Sequence, residues 1–235
     1  AALTAETLQL AKQDGYFDKY AYVSGVDASA YPVFFNLYRK QYGNYNNATV
    51  ASTTLSDLNK VRTNLAMQNK NFRLALVTSL DRAKENAVLK GDDLKLANLV
   101  NSYTPGNYVA LVEDVTVKIG GVDKTFPAGT YYGAIVQAQL DADGIKVKVW
   151  NPELENGAGS STGFDGWYNV EYARENLQKA IAELKAQGVE ITKENPIILE
   201  MPYFDISEVY ANKANALKQS IEASLEGLVK IELVK

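Results

Sequence analysis

The stretch PIILEMPYFDISEVYANKANALKQSIEASLEGLVKIELVK, residues 196–235, decides the fold class of this chain. Two short runs rich in β-branched residues, PIILEMPY and LVKIELV, have the composition of strands. Between them, apolar residues recur at the spacing of one helix face, and Gly227 stops the pattern: Ala214, Leu217, Ile221 and Leu225. This strand-helix-strand order predicts a right-handed crossover and a mixed sheet flanked by helices, in an α/β fold.

Three further helices are predicted upstream from caps and apolar periodicity. The first covers residues 3–13, with Thr4 as its N-cap. The second is one continuous helix from Asn71 to Gly91, with Asn71 as its cap. Its apolar face is formed by Phe72, Leu76, Leu80 and Ala83. The third covers residues 168–187, between an Asn169 cap and a Gly188 terminator.

The segments between these helices give strand and loop signals. Residues 31–37, YPVFFNL, predict a strand, with Pro32 at its beginning or on a sheet edge because Pro32 cannot donate to a ladder. Residues 41–57 are polar and predict an exposed loop. Residues 108–150 predict a β-hairpin-rich excursion, with one hairpin at Gly120-Gly121 and another at residues 141–144. Residues 151–166, rich in Gly, Ser and Asn, predict a long loop beside a site or in solvent.

Composition excludes several classes of function. The net charge is -4, and the cations are scattered among acids, so we expect no nucleic-acid partner. The chain contains no Cys and no His, which removes the commonest general base and the commonest transition-metal ligands. DADG, residues 141–144, lacks the later ligands of a calcium loop and is better interpreted as a hairpin turn. We expect no catalytic residue, no metal and no cofactor.

The adjacent pair Asp81 and Arg82 is conspicuous, but its geometry argues against chemistry. Neighbouring residues on a helix point about 100° apart and cannot be presented together to one substrate. We predict a structural role, as a helix-end ion pair or cap with a neighbouring loop.

Several motifs, taken in order from about Ala30 to Val234, resemble the second lobe of bacterial oligopeptide-binding lipoproteins, the solute-binding subunits of peptide ABC importers. They are AYPVFFNLYRKQY, NKNFRLALVTSLDR, NSYTPGNYV, DGWYNVEYARENLQKAIAELKAQGV and LKQSIEASLEGLVKIELV. One section departs from the family pattern because its sequence is typical of strands: VKIGGVDKTFPAGTYYGAIVQ. The proline turn also departs from the pattern, since it has one Pro where two are usual. Both departures affect the ligand-facing loops.

The resemblance implies non-catalytic capture of extended oligopeptides by hinge closure, for uptake through an ABC permease. Residues 1–235 would form a single α/β lobe, and the missing first lobe would be its partner. The full-length protein would be lipid-anchored on the extracellular face of the bacterial membrane. The first residues lack the pattern of a signal peptide, and the last run stops as a strand, so we expect a piece of a longer chain.

Six residues are candidates for the peptide cleft, and each has an ordinary alternative. Tyr31 and Phe34 line either the groove or the core, and Asn36 ends the family's tyrosine-containing strand. Tyr103 and Pro105 form either a cleft wall or a simple turn. Trp167 either stacks on a ligand or, as we favour, forms a hydrophobic staple at the start of the following helix.

Two other functions remain open at this stage. A structural or adhesive surface module with a protein partner is favoured by the 15 tyrosines and the hairpins. A carboxylate-based hydrolase is less favoured, and it would require two or three acids buried in one pocket.

Overall fold

The chain divides by its internal contacts into two compact units in this computed structural model. The first unit comprises Ala1–Pro32 and Arg82–Trp167, and the second comprises Val33–Asp81 and Tyr168–Lys235. The structure describes residues 4–25, 32–39, 53–154 and 161–235. The helices and small sheets confirm a mixed α/β fold, although the described residues form two separate two-stranded sheets and not one mixed sheet.

The second unit contains four helices and the parallel strand pair. Its elements are α3 (Asp57–Gln68), α4 (Lys70–Thr78), α7 (Val170–Lys185), β3 (Ile197–Pro202), α8 (Glu208–Ser224) and β4 (Val229–Val234). Strand β3 pairs in parallel with β4, with Ile197 opposite Val229 and Pro202 opposite Val234. The predicted strand-helix-strand unit at the end of the chain is therefore confirmed.

The core of the second unit lies between this sheet and the apolar faces of α4, α7 and α8. Phe72, Leu177 and Leu225 are almost completely buried there, as the helical spacing predicted. Asn169 caps α7 by accepting a hydrogen bond from the Tyr172 amide at 2.9 Å, which confirms the predicted cap. Each helix thus stays in place mainly because its apolar face is buried.

The predicted continuous helix from Asn71 to Gly91 is wrong, because α4 ends at Thr78 and α5 (Arg82–Lys90) begins afterwards. The predicted Asn71 cap is also wrong, since Asn69 accepts the hydrogen bond from the Phe72 amide. The Ser79 hydroxyl donates to the Leu76 carbonyl at 2.7 Å. This side-chain hydrogen bond competes with the backbone hydrogen bonds that would continue the helix. The prediction treated this serine as an ordinary helical residue.

The first unit contains the remaining elements. They are α1 (Ala5–Gln13), α2 (Phe17–Tyr20), α5, a 3₁₀ turn (Asp92–Leu94), β1 (Val115–Ile119), β2 (Val122–Phe126) and α6 (Tyr132–Ala142). Helix α1 has the predicted Thr4 cap. Strands β1 and β2 form the predicted hairpin at Gly120-Gly121, where both residues have the positive φ that favours glycine.

The second predicted hairpin, at residues 141–144, is wrong because α6 runs into it. Residues 145–150 form no strand. The side chain of Gln137 on α6 makes hydrogen bonds to their backbone that a neighbouring strand would otherwise make. Its oxygen accepts from the Val149 amide at 2.7 Å, and its amide donates to the Val147 carbonyl at 3.0 Å. Both valines are buried, which explains the period-two pattern without a strand partner.

Arg82 and Asp165 confirm the helix-end ion pair and cap predicted for the Asp81-Arg82 motif. Asp165 accepts the Arg82 backbone amide at 3.1 Å and pairs with its guanidinium at 2.5 Å. The buried Asn101 side chain accepts hydrogen bonds from the Arg82 guanidinium and from the Gly166 amide. It therefore connects the start of α5 to the loop at Gly166. Asp81 lies before α5, and its amide donates to Ser220 of the second unit at 2.6 Å.

No helix in the described ranges has both the length and the apolar character needed to cross a bilayer.

We predict that Gly166→Ala destabilises the first unit by about 1–3 kcal/mol. A Cβ at residue 166 would lie 1.6 Å from the Lys148 carbonyl oxygen, so the backbone would have to move. Urea unfolding followed by tryptophan fluorescence measures this, because Trp150 and Trp167 both belong to this unit. Gly25→Ala is the matched control, since its Cβ would meet nothing within 4 Å, and an equal loss in both variants would contradict the prediction.

Candidate binding site at the edge of β3

A cavity of about 150 Å³ lies within the second unit, beside β3. Its floor consists of core side chains, among them Leu76, Leu80 and Ile221. Its outer wall is the irregular segment 33–36, and Leu199 to Pro202 of β3 border it. The cavity is therefore both apolar and adjacent to a strand edge.

The backbone of β3 directs its polar groups alternately to its two edges. The Ile197 amide donates to the carbonyl of Leu228, directly before β4, and the amide of Tyr203, directly after β3, donates to that of Val234. The odd-numbered positions of β3 therefore face β4. The amide and carbonyl of Glu200 consequently face the opposite edge, as does the carbonyl of Pro202. Neither Glu200 group has a hydrogen-bond partner within the described part of the chain. This outer edge of β3 presents a donor and an acceptor at one position.

Side chains of α8 bond the outer edge of β4 at Ile231. The Ile231 amide donates to Glu222 at 2.9 Å, and the Ile231 carbonyl accepts from the Lys218 ammonium. Burial raises the pKa of the Glu222 carboxyl, but the Ile231 amide, Lys218 and Lys230 outweigh it, so the pKa lies below its ordinary value. The two outer edges thus differ at these positions, since α8 side chains bond both backbone groups of Ile231.

We predict that Glu222→Gln lowers the stability of the second unit by about 1 kcal/mol at neutral pH. A carboxyl whose pKa is lowered on folding stabilises the fold above its unfolded pKa, and this stabilisation is lost as pH falls through the folded pKa. The difference between wild type and variant should therefore be largest at pH 7 and disappear in acid. Urea titrations followed by far-UV circular dichroism at several pH values check this, and a difference independent of pH would contradict it.

Glu200 holds the polar face of the site together. Its side chain is only 6% exposed and pairs with Arg39 at 2.5 Å. The same carboxylate accepts from the Thr53 hydroxyl at 2.7 Å and from the Thr54 amide at 3.2 Å. Asn64 on α3 accepts from the Arg39 amide and donates to its carbonyl. One carboxylate therefore bonds Arg39 as well as Thr53 and Thr54.

We predict that Glu200→Gln destabilises the second unit by about 2 kcal/mol, because it removes a charge-assisted bond at a buried acceptor. Chemical denaturation with circular dichroism detection measures the loss. Glu232→Gln is the matched control, since Glu232 lies opposite Glu200 on β4 but is exposed, and within the described ranges it accepts only the Thr54 hydroxyl. Similar losses of unfolding free energy in the two variants would show that neither burial nor the ion pair with Arg39 accounts for the effect of Glu200.

The structure places two of the six predicted cleft residues at this cavity. Phe34 and Asn36 line it, and Phe34 is 80% exposed. The Asn36 side chain accepts from the Tyr38 amide at 3.2 Å. Tyr31 lies outside the described residues. The predicted strand at residues 31–37 is wrong over residues 32–37, where the chain forms no strand.

The other three predicted residues belong to the first unit. Tyr103 is 70% exposed, whereas Pro105 is buried, as expected of a turn residue packed into its own loop. The Trp167 indole donates to the Asn101 carbonyl at 2.8 Å, which fixes its ring against the 101–105 loop. Their roles in a peptide cleft stay predictions.

Among the described residues, no three acidic side chains converge on a point that could hold a metal ion. Of the described residues, Glu200 is the one carboxylate that lines the cavity, and Arg39 compensates its charge. This arrangement provides hydrogen bonding and apolar contact.

Comparison with known proteins identifies the relatives of this chain. It is 32% identical over 190 residues to the oligopeptide-binding protein AmiA of Streptococcus pneumoniae, over 81% of this chain and 24% of the relative. It is 30% identical over 199 residues to the oligopeptide-binding proteins SarA of Streptococcus gordonii and AliB of Streptococcus pneumoniae, over 85% of this chain and 25% of each relative. The chain is homologous to a segment of bacterial oligopeptide-binding proteins. It spans about a quarter of their length, and no protein-family profile matches it.

Sequence reasoning missed Glu200, Arg39 and Thr53. A signal was present, because Glu200 is the only charge within the apolar run PIILEMPY. Its importance depends on strand register and on contacts across more than 140 positions of sequence, from Thr53 to Glu200, which periodicity does not encode.

Proposed function

We propose that this chain forms one lobe of an oligopeptide-binding protein and captures extended peptides along the outer edge of β3. The observation that carries the proposal is that the Glu200 amide and carbonyl, beside an apolar cavity, have no partner among the residues that the structure describes. The homology to oligopeptide-binding proteins supports it independently.

An extended peptide would bind by adding a strand to this edge. The Glu200 amide would donate to a peptide carbonyl, and the Glu200 carbonyl would accept a peptide amide, as in β-strand addition generally. The peptide backbone is the same in every sequence, so this contact accepts many side chains. Phe34 and Asn36, at the opposite wall, would contact the guest side chains.

The position in the whole protein is inferred from the relatives. We assign residues 1–235 to the second lobe of a peptide-binding clamp, whose first lobe would complete the cleft. The complete protein would be anchored by lipid on the extracellular face of the membrane and would deliver peptides to an ABC permease. Tyr31, Tyr103, Pro105 and Trp167 remain candidates for the cleft of that complete protein.

The proposal assigns no catalytic residue to the chain. The relatives are named as binding proteins, and the carboxylate that lines the cavity is held by Arg39, Thr53 and Thr54. A hydrolytic pair would need a second acid facing the same space. No observation favours an adhesive module over peptide capture.

Amide hydrogen exchange tests the proposal on this chain. The Glu200 amide should exchange much faster than those of Leu199 and Met201, which face β4. An acetylated and amidated alanine hexapeptide should slow exchange at Glu200 about tenfold when its concentration is ten times Kd. Binding should be weak, because one lobe supplies only part of the contacts.

Ile231 provides the internal control, because its amide is already bonded to Glu222 and should not respond to the peptide. A hexapeptide with N-methylated amides should give no protection. Protection of Glu200 without peptide as strong as that of Leu199 would show that the edge is closed, and would refute the proposal.

A further inference from the structure

We propose that Asp14-Gly15 is a modification site, at which the aspartate converts spontaneously to isoaspartate through a cyclic imide. The site belongs to the first unit, so its reactivity does not depend on the peptide capture proposed for the second unit. Asp-Gly occurs three times in this chain, at residues 14–15, 143–144 and 165–166. The three pairs share the same local chemistry, so differences in their reactivity must come from the fold.

The reaction needs only the aspartate side chain, the backbone and water. The Gly15 nitrogen attacks Cγ of Asp14, a C–N bond forms, and the amide hydrogen leaves with the carboxyl hydroxyl as water. Water then opens the imide at either carbonyl. Cleavage between Cγ and nitrogen restores aspartate, whereas cleavage of the original peptide bond leaves the main chain running through Cγ as isoaspartate. No electrons are transferred, and glycine permits the required backbone rotation because it has no Cβ.

The fold closes the pair Asp165-Gly166 to this reaction. The Asp165 carboxylate is only 7% exposed and is paired with Arg82 at 2.5 Å. The Gly166 amide, which would have to attack, donates to the buried Asn101 side chain at 2.9 Å. The Gly166 carbonyl accepts from the Lys148 amide, also at 2.9 Å. Neither group can turn toward the other without unfolding this part of the first unit, so we expect no isoaspartate there.

The other two pairs occupy the same position in two helices. Asp14 is the C-terminal cap of α1 and Asp143 that of α6, with backbone angles φ -85°, ψ 0° and φ -79°, ψ -2°. Each is followed by a glycine with positive φ, whose amide donates to the carbonyl two residues before the aspartate at 3.1 Å. Both aspartates and both glycines are exposed. Backbone geometry and exposure therefore do not separate these two sites.

The two sites differ in what holds the carboxylate. Gln139, one turn before Asp143, donates from its side-chain amide to the Asp143 carboxylate at 2.9 Å. Leu10 occupies the corresponding position of α1, and its side chain has no group to donate. Within the described part of the chain, no donor contacts the Asp14 carboxylate. The Asp14 side chain can therefore turn toward the next backbone nitrogen without losing a hydrogen bond.

The two sites also differ in the packing of the chain that follows. The segment after Asp143 includes two buried valines, Val147 and Val149. The backbone of both is bonded by the side chain of Gln137 on α6. After Asp14 the chain enters α2, none of whose residues is buried. The change in ψ that brings nitrogen to Cγ consequently disturbs less packing at Asp14.

Modification would change the connection between α1 and α2. In isoaspartate the main chain gains one carbon atom between residues 14 and 15. Two hydrogen bonds close the end of α1, from the Gly15 amide to the Lys12 carbonyl and from the Tyr16 amide to the Ala11 carbonyl. Both span the point of insertion, so we expect both to be lost. The modification would thus loosen α2 from the end of α1.

The experiment follows isoaspartate in the folded chain during incubation in warm, mildly acidic buffer, which favours the reactive protonated carboxyl group. Tryptic peptides separate the three sites, and the peptide of residues 13–19 contains Asp14. Electron-transfer fragmentation distinguishes isoaspartate from aspartate in each peptide, and an isoaspartyl-specific methyltransferase counts the modified residues. Isoaspartate should form at Asp14 about fivefold faster than at Asp143, which is the effect of one net hydrogen bond, and should not form at Asp165.

Two variants exchange the residue that precedes each aspartate by one turn. Gln139→Ala removes the donor and should raise the rate at Asp143 about fivefold. Leu10→Gln supplies a donor and should lower the rate at Asp14 by a similar factor. Leu10 is 54% exposed and Gln139 is also exposed, so both variants should fold. The unaltered site is the internal control in each variant, and the three sites should react at similar rates in urea.

Three results would overturn the proposal. The first is equal rates at the three sites of the folded chain, or a faster reaction at Asp143 than at Asp14. The second is reaction at Asp14 only after unfolding in urea, which would show that the end of α1 protects the site. The third is unchanged rates in both variants, which would show that the glutamine side chain does not control the reaction.

Discussion

The need to satisfy backbone hydrogen bonds determines what the second unit can do. Two parallel strands pair with each other on one side only, so each leaves a row of amides and carbonyls at its outer edge. On β4 the side chains of Lys218 and Glu222 bond both polar groups of Ile231. On β3 the Thr63 hydroxyl takes the Ile198 carbonyl, and the next outward-facing position, Glu200, keeps its backbone groups unpaired among the described residues. Among the described residues, Ile231 on β4 is thus already bonded, whereas Glu200 on β3 can accept a further strand.

Glu200 combines two roles that act on opposite sides of the strand. Its backbone belongs to the open edge, whereas its carboxylate fixes Arg39 and Thr53 on the polar face. Arg39 in turn is held by Asn64 on α3, so the wall that includes Phe34 and Asn36 has a fixed attachment to the helical layer. A strand edge needs such a wall to distinguish guests, because the edge itself contacts only the peptide backbone.

The sequence predicted those elements whose determinants are local. The last strand-helix-strand unit, α1, α7 and the Gly120-Gly121 hairpin combine caps, regular apolar spacing or glycine turns within a few residues. Helix α3 was missed because its exposed Leu58 and Val61 and its buried Arg62 and Thr63 obscure the expected apolar face. Helix α6 was missed because a hairpin was assumed at residues 141–144, where the helix ends. The candidate site itself depends on strand register and on distant partners of Glu200, so only Phe34 and Asn36 were predicted from among the residues lining the cavity.

The proposed capture of a peptide at a strand edge has a physical consequence for its affinity. Main-chain hydrogen bonds contribute little net free energy each, because the free peptide already bonds to water. Burial of one apolar side chain contributes about 1.5–3 kcal/mol, which is comparable to several such bonds. A peptide bound only through its backbone at Glu200 would therefore be held weakly, and most of its affinity would have to come from side chains buried in the complete cleft.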